Sequence, residues 1–165
     1  MAATENLKYL AGTIHQGISI TTATSFSISA YSNSDWTRRS TCGYCVLFSG
    51  NLVSESTKKQ PTVVRSSTGA EYRALASVAA EITWLQMLFK DLHVYFPTSL
   101  VALCDNIFAT YLAYNPVLHS RSKHIAIDYH FVREKVSLGD LKVRHLPTPL
   151  QLADIFTKVV PSLQV

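Results

Sequence analysis

The fold is decided by residues Ser66–Leu92, SSTGAEYRALASVAAEITWLQMLFKDL. Apolar residues recur in this stretch at steps of three and four, which is the period of an α-helix with one buried face. These residues are Leu75, Val78, Ile82, Leu85, Phe89 and Leu92. The spacing predicts one long helix whose apolar stripe faces the core. Glu71 lies on the same stripe, one turn before Leu75, where a carboxylate is costly to bury without a partner.

Two interpretations of Glu71 follow from this position. Thr68 and Glu71 have the spacing of a capping box, in which the glutamate reaches back to the amide of the cap residue. Alternatively, Glu71 is one of several acidic residues that converge on a functional site. The helix by itself favours the cap.

Length and composition indicate a single intracellular domain. The 165 residues are 47% hydrophobic and 16% charged, which excludes wholesale disorder. Three cysteines imply no disulfide framework and favour a reducing compartment. No apolar run reaches the roughly 18 residues of a membrane span, and no secretion signal is evident. The net charge of +4 is compatible with a nucleic-acid partner but does not single one out.

Upstream of the long helix, the residue pattern is mostly that of strands. Residues 25–33 alternate apolar side chains with serine, the period of two of a half-buried strand. The predicted elements are a short helix over 3–10, a short strand over Ile18–Ile20, and strands over Ser25–Asn33, Cys42–Phe48 and Leu52–Ser56, the last a short polar edge strand.

Downstream of it, strands and helices alternate. The predicted elements are a buried strand over Ser99–Cys104, helices over Ile107–Ala113 and 123–138 (with Ile127, Phe131 and Val132 as its apolar side), a strand over Leu141–Leu146, and a final helix over 150–160. The whole order is typical of an antiparallel meander joined to parallel strands, with helices packed over the sheet. It predicts an α/β or mixed α+β layer fold.

Acidic residues recur where predicted strands end or helices begin, at Asp35, Glu71, Asp105 and Asp154. In open α/β sheets, sites form at the carboxyl ends of strands. Several carboxylates that meet there need a cation, and Mg²⁺ prefers hard oxygen ligands. Two such ions can drive in-line displacement at phosphorus. Each acid also has a local interpretation: Asp105 as a helix cap, Asp154 as the i,i+4 partner of Lys158, and Asp35 as a turn residue.

Four motifs occur in order along the chain. They are RRSTCGYCVLFSGNLVSESTKKQPTVVRSSTGAEYRALA (38–76), CDNIFATYLAYNP (104–116), KHIAIDYHFVREKV (123–136) and QLADIFTK (151–158). With them the chain resembles the ribonuclease H domain of copia-type retrotransposon polyproteins. The resemblance implies a ribonuclease H-like fold, with a five-stranded mixed sheet (three antiparallel strands plus two parallel) flanked by helices. It also implies cleavage of the RNA strand of RNA–DNA hybrids by two-metal hydrolysis, with Mg²⁺ or, in its place, Mn²⁺.

The resemblance assigns the catalytic and metal-binding roles to Glu71, Asp105 and Asp154. Where the family has its first catalytic aspartate, this chain has Asn33. An amide supplies one neutral oxygen where a bridging carboxylate is needed, so cleavage is expected to be impaired. Asp35 shares a strand face with Asn33 but lies about 6–7 Å further along, which does not favour rescue.

The family's loop after Trp36 is also shortened, which would bring Arg38 and Arg39 closer to the site. Both departures suggest a decayed or repurposed element copy. The alternative function is therefore a catalytically inactive, retroelement-derived domain that only binds nucleic acid or protein.

The substrate-binding candidates are Ser66, Ser67, Arg73, Asn106 and Lys123. Ser66, Ser67 and Asn106 would read a sugar 2′-hydroxyl. The basic residues would contact hybrid phosphates, and the set is Lys58, Lys59, Arg65, Arg73, Arg121 and Lys123. An ordinary solvated basic surface is the alternative.

Two further patterns concern single side chains. His145, at the end of the last strand, is a candidate for proton transfer, with an ordinary strand-end histidine as the alternative. Cys42 and Cys45 are interpreted as structural thiols and not as zinc ligands, since no second such pair accompanies them.

We expect residues 1–12 to be a short helix left over from the reverse transcriptase connection, and residues 13–165 to be the ribonuclease H-like domain. The expected partners are an RNA–DNA hybrid and, formerly, an adjacent reverse transcriptase domain, with no membrane. A monomer in the cytoplasm or in a virus-like particle is expected, with the nucleus as the alternative location.

Overall fold

The computed structural model describes residues 11–12, 14, 17–22, 26–37, 39–61, 63, 66–95, 100–115 and 125–158. The predicted helix over 3–10 lies outside the described residues. So do Arg38, Arg65, Arg121 and Lys123.

Five strands form one mixed sheet in the order β3-β2-β1-β4-β5. The strands are β1 Ile28–Asp35, β2 Thr41–Phe48, β3 Asn51–Lys59, β4 Leu100–Cys104 and β5 Leu141–His145. β1 pairs antiparallel with β2, which pairs antiparallel with β3, whereas β1–β4 and β4–β5 are parallel. The predicted ribonuclease H-like arrangement of five mixed strands is confirmed.

Two strand predictions need correction. β3 runs over nine residues, longer than the predicted Leu52–Ser56, because it pairs with the whole length of β2. The predicted strand over Ile18–Ile20 is wrong, since residues 17–22 form no strand. Both isoleucines are exposed, so no buried face selects an extended pairing, and the side chain of Asn51 bonds to the backbone of Thr21 instead.

The long helix α1 spans Ser67–Asp91 and buries the predicted stripe as far as Leu85. Phe89 continues the stripe by stacking on Phe48, with ring centroids 4.8 Å apart. The stripe ends before Leu92, which is 61% exposed because the helix stops at Asp91. α1 packs on β1 and β2, and this helix-on-sheet layer holds the core.

The predicted capping box at Thr68 is wrong. Ser66 caps α1, and its hydroxyl accepts a hydrogen bond of 3.1 Å from the amide of Gly69. The helix therefore begins two residues earlier than a capping box would need. Glu71 is free to turn into the protein.

Two shorter helices follow, α2 over Ile107–Tyr114 and α3 over Ala126–Ser137. α3 packs on α1 through Tyr129 and Val132, both fully buried. Ile127, predicted on the apolar face, is 86% exposed. The buried face of this region includes Ile125, Tyr129 and Val132, at steps of four and three, and Ile127 points away from it.

The predicted final helix is two 3₁₀ segments, Thr148–Leu150 and Leu152–Phe156. The second segment packs on β1 and β2. It approaches Gly43 so closely that a Cβ there would lie 2.7 Å from the Cβ of Phe156. Gln151 anchors the segment, since its Nε2 donates to the backbone carbonyl of Ser32 at 3.0 Å. These contacts with the sheet hold the segment in a short, tight form where the sequence pattern favoured an α-helix.

In the described part of the chain, none of the helices is both long enough and apolar enough to cross a membrane.

Candidate active site

The four site residues named in the sequence come from four different elements. Asn33 is near the end of β1, Glu71 is in the first turns of α1, Asp105 directly follows β4, and Asp154 is in the second 3₁₀ segment. Because β1 and β4 are parallel, their carboxyl ends lie at the same edge of the sheet. The fold therefore brings these four residues to one place.

Asn33 is 6% exposed and fully engaged in hydrogen bonds. Its Nδ2 donates to Oδ1 of Asp154 at 2.5 Å and to Oγ1 of Thr157 at 2.8 Å, while its Oδ1 accepts from the amide of Ser34 at 2.8 Å. A carboxylate can only accept, so the amide nitrogen must be the atom that faces Asp154. Position 33 thus presents a hydrogen-bond donor where an aspartate would present negative charge.

Asp154 has a donor on each carboxylate oxygen. Asn33 donates to Oδ1, and the ammonium of Lys158 contacts Oδ2. The predicted i,i+4 pairing of Asp154 with Lys158 is present. Lys158 is largely exposed, so this ion pair alone contributes little to stability.

Glu71 is 6% exposed, and its Oε1 accepts from the amide of Ser34 at 2.9 Å. Burial raises the pKa of Glu71 to about 8, and the nearby charges of Asp105 and Asp154 also raise it, against the Ser34 bond, which lowers it. Without a cation, this carboxyl therefore holds a proton at neutral pH. Carboxyls crowded in this way are typical of functional sites.

Asp105 lies beside Glu71 and Cys104. One ligand atom from each of these three side chains lies within 4.8 Å of the other two. Thr148 donates to Oδ2 of Asp105 at 3.2 Å. Burial raises the pKa of Cys104 to about 12, so its sulfur is a neutral thiol and the carboxylates are the hard ligands of the group.

The interpretation of Asp105 as a helix cap is wrong. The cap of α2 is Asn106, whose side-chain oxygen accepts from the amide of Ala109 at 3.0 Å. The side chain of Asp105 therefore does not cap the helix and lies beside Glu71 and Cys104. Asn106, predicted to read a 2′-hydroxyl, has its Oδ1 engaged by the helix.

The four site residues form a cluster with two halves, Glu71–Asp105 and Asn33–Asp154. Only the first half fits a divalent cation. Glu71 and Asp105 offer two carboxyls with ligand atoms within 4.8 Å of each other, and a cation between them would let Glu71 ionise beside Asp105. The half formed by Asn33 and Asp154 offers an amide nitrogen and a carboxylate that is already paired with Lys158. A second cation does not fit between those atoms as they stand.

Asp35 is the exposed last residue of β1, and its carbonyl accepts from the amide of Thr37 at 3.2 Å. This geometry agrees with the turn interpretation. His145 is exposed at the end of β5, with its Nε2 3.2 Å from the backbone carbonyl of Asp105. The candidate for proton transfer is therefore adjacent to the cluster.

The substrate-binding candidates are spread around this edge. Ser66 and Ser67 are exposed at the start of α1. Arg73 is nearly two turns further along α1, where its Nε lies 3.6 Å from Oδ2 of Asp128. Arg73 also lines a cavity of about 480 Å³ together with Lys58 and Lys59, at the end of β3.

Several functional contacts were not identified from the sequence. They involve Thr157, Gln151, Gly43 and Cys104, which hold or border the four site residues. The signal that could have found them was proximity, because Thr157 and Gln151 belong to the motif that contains Asp154, and Cys104 directly precedes Asp105.

The sequence of the chain is similar to parts of retrotransposon Pol polyproteins. The chain is 48% identical over 157 residues to the retrovirus-related Pol polyprotein from transposon RE1 of Arabidopsis thaliana, which covers 92% of the chain. It is 39% identical over 124 residues to that from transposon TNT 1-94 of Nicotiana tabacum, which covers 75% of the chain. The chain spans 11% and 9% of the lengths of these relatives. No protein-family model matches the chain.

Solved structures show the same fold at low sequence identity. The N-terminal RNase H domain of a Mycobacterium tuberculosis protein matches with a TM-score of 0.62 at 15% identity, covering 81% of this chain and 91% of that one. LC11-RNase H1 in complex with an RNA/DNA hybrid matches with a TM-score of 0.59 at 17% identity, covering 79% and 93%. The protease–reverse transcriptase of prototype foamy virus matches at 0.53 and 14% identity, covering 87% of this chain and 22% of that one.

Proposed function

Because the chain belongs to the copia-type retrotransposon Pol family, in which it forms a ribonuclease H-like segment, we propose that it acts on RNA–DNA hybrids as a ribonuclease H impaired at one catalytic position. The reaction is hydrolysis of the RNA strand. Glu71, Asp105 and Asp154 are the catalytic carboxyls. Of these, Glu71 and Asp105 would hold the cation, since Asp154 is paired with Asn33 and Lys158. Mg²⁺ is the cation, with Mn²⁺ as its substitute.

The observation that carries the proposal is the pair of carboxyls of Glu71 and Asp105 beside the carboxyl ends of β1 and β4, with Asp154 near enough for its charge to raise the pKa of Glu71. The raised pKa of Glu71, caused by burial and by its two acidic neighbours, supports a site built around a cation. A divalent cation held there would neutralise the charge that develops on the phosphodiester. Glu71 and Asp105 would hold and orient it, and Thr148 would orient Asp105.

Impairment follows from the atom that position 33 presents. The amide nitrogen of Asn33 points at Asp154, so it repels a cation where a carboxylate would attract one. Lys158 adds a positive charge to the same carboxylate. The chain is thus expected to cleave slowly with its present residues.

The pairing of Asp154 with Asn33 and Lys158 also favours a second function, binding of hybrids without cleavage. The fold and the basic residues at its site edge are retained, while the half of the cluster that contains Asn33 is closed to a cation. Lys58, Lys59 and Arg73 would contact phosphates, and Ser66, Ser67 and Asn106 would lie near the sugar. Lys123 completes this predicted set.

Cleavage of a labelled RNA–DNA hybrid, with Mg²⁺ and with Mn²⁺, tests the proposal. Asn33→Asp is expected to cleave about 100-fold or more faster than the wild type, because a bridging carboxylate contributes several kcal/mol to the transition state. Asp105→Asn in the same background should abolish the gain. Asp35→Asn is the matched control, since that exposed carboxyl lies outside the cluster and its loss should leave the rate unchanged.

Hybrid binding measured by fluorescence anisotropy separates the two functions. If Asn33→Asp folds and binds hybrid but still does not cleave, the binding function stands and the nuclease proposal fails. If wild type and Asn33→Asp neither bind nor cleave, both functions are excluded.

A further inference from the structure

The second 3₁₀ segment and the two residues after it, together residues 152–158, form the C-terminal part of the site. We call these residues the docking segment. Asn33 ties it to β1 with two hydrogen bonds from one amide nitrogen, to Asp154 and to Thr157. Asn33 and Thr157 are 6% and 9% exposed, so their bond is buried, whereas the bond to Asp154 is partly buried.

An aspartate at position 33 could not make this connection by itself. Its carboxylate would face that of Asp154 across the 2.5 Å now spanned by a hydrogen bond. Two carboxylates at that separation cannot both be ionised unless a cation lies between them. Without a cation they must share a proton or move apart. With asparagine, the same gap is closed by an N–H donor.

Lys158 completes the neutralisation of Asp154. Its ammonium contacts the carboxylate oxygen that Asn33 does not reach. Asp154 thus has a donor on each oxygen and one positive charge beside it, all from this chain. This half of the cluster is balanced in charge without any ion.

We propose that the Asn33 amide and the Lys158 ammonium stand in for a cation, so that the docking segment stays on the sheet without metal. Only the Glu71–Asp105 half of the cluster is then open to a divalent ion. This inference concerns folding and holds whether or not the chain cleaves hybrids.

Thermal unfolding in EDTA and in Mg²⁺ tests the proposal without any activity measurement. All variants carry Asp105→Asn, so that an ion at the other half of the cluster does not contribute. In this background, Asn33→Asp should lower Tm by about 5–10 °C in EDTA, because the hydrogen bond is replaced by two facing carboxyls, one of which must take up a proton or move away. About 10 mM Mg²⁺ should restore at least half of the loss, while the parent with Asn33 should not respond.

Asn33→Ala is the control for the lost amide. It removes the hydrogen bonds without adding charge, so its Tm should fall equally in EDTA and in Mg²⁺. The proposal is overturned if Asn33→Asp is as stable as its parent in EDTA, or if the parent gains as much from Mg²⁺ as the variant does.

Lys158→Ala provides a second test of the proposal in case Asn33→Asp does not fold. The Lys158 side chain is exposed, so its removal should leave the fold intact. Mg²⁺ should then raise Tm by about 1–3 °C more than in the parent, because Asp154 has lost its cation. Lys142→Ala removes an equal charge from an exposed position on β5 and should show no such gain. Equal responses of Lys158→Ala and Lys142→Ala would contradict the proposal.

Discussion

The side-chain amide of Asn33 donates a 2.5 Å hydrogen bond to the carboxylate of Asp154, 121 positions further along the chain. This hydrogen bond has two consequences at once. It places an N–H donor at the position where, in our proposal, hybrid cleavage needs a carboxylate. It also fastens the docking segment to the central strand. The residue to which we attribute the proposed impairment therefore also holds the docking segment on the sheet.

The raised pKa of Glu71 predicts a pH dependence of stability. Its folded-state pKa is about 8 against an ordinary value of 4.5, so between these values the folded chain holds a proton that the unfolded chain has released. This contribution to stability is fully present below about pH 4.5 and is lost as the pH rises to about 8. The loss should be on the order of 1–4 kcal/mol.

Glu71→Gln should remove this slope, because the amide is a neutral counterpart of the protonated carboxyl. Urea denaturation at several pH values between about 5 and 8, without divalent ions, measures it. Parallel slopes for wild type and variant would show that Glu71 is ionised throughout.

Gly43→Ala should destabilise the docking segment. A Cβ at this position would lie 2.7 Å from the Cβ of Phe156 and 2.9 Å from Cγ2 of Thr157, so the segment must shift away from β2. We expect a loss of about 1–3 kcal/mol in the free energy of unfolding. In the Asn33→Asp background, the shift should also reduce hybrid cleavage, because Asp154 moves with the segment.

Gly17→Ala is the control for this substitution, since nothing lies within 4 Å of an added Cβ there. Denaturation midpoints of both variants provide the comparison. A neutral Gly43→Ala would mean that the segment is held less tightly than the short distances indicate.

Gln151→Ala should cost about 1–3 kcal/mol, because the buried amide donates to the Ser32 carbonyl and accepts from the amide of Ala153. Hydrogen exchange should show faster exchange at the amides of Thr157 and Lys158, which bond to the Asp154 carbonyl. The exposed neighbour Leu150, changed to alanine, should alter neither quantity. If Gln151→Ala leaves hydrogen exchange at these amides unchanged, Gln151 does not anchor the segment.

The basic residues at the end of β3 predict a salt dependence of hybrid binding. Lys58 and Lys59 are exposed beside the cavity that Arg73 also lines. Changing both lysines to alanine should reduce the slope of log affinity against log salt by about 0.7–0.9 for each phosphate that the variant no longer neutralises. Lys142→Ala, on the opposite edge strand, should leave the slope unchanged. If all variants share one slope, the lysines are an ordinary solvated surface.

The features that were predictable from the sequence are those with a local physical cause. The stripe from Leu75 to Leu85 follows from the period of a helix. The serine-spaced strand predicted over 25–33 follows from the period of a strand with one buried face, and the structure places it at Ile28–Asp35. Strand order within the family fold followed from motif resemblance. The same resemblance predicts that Asn33 stands where the family has an aspartate, because the neighbours of Asn33 match the family's motif.

The predictions that were wrong concern residues whose local structure is set by contacts with distant parts of the chain. The period of the QLADIFTK motif favours an α-helix, but Gly43 and Ser32 on the sheet hold it as a 3₁₀ segment. The sequence pattern likewise favoured Glu71 as a capping residue, whereas Ser66 provides the cap and Glu71 is buried beside the amide of Ser34.

The sequence by itself determined the long helix, most of the strands and the family, because each depends on residues near one another in the chain. Only the tertiary structure decided what Asn33 and Asp154 do. Their charges, protons and hydrogen bonds depend on which atoms the folded sheet brings within bonding distance, and residues 121 positions apart carry no local pattern that specifies it.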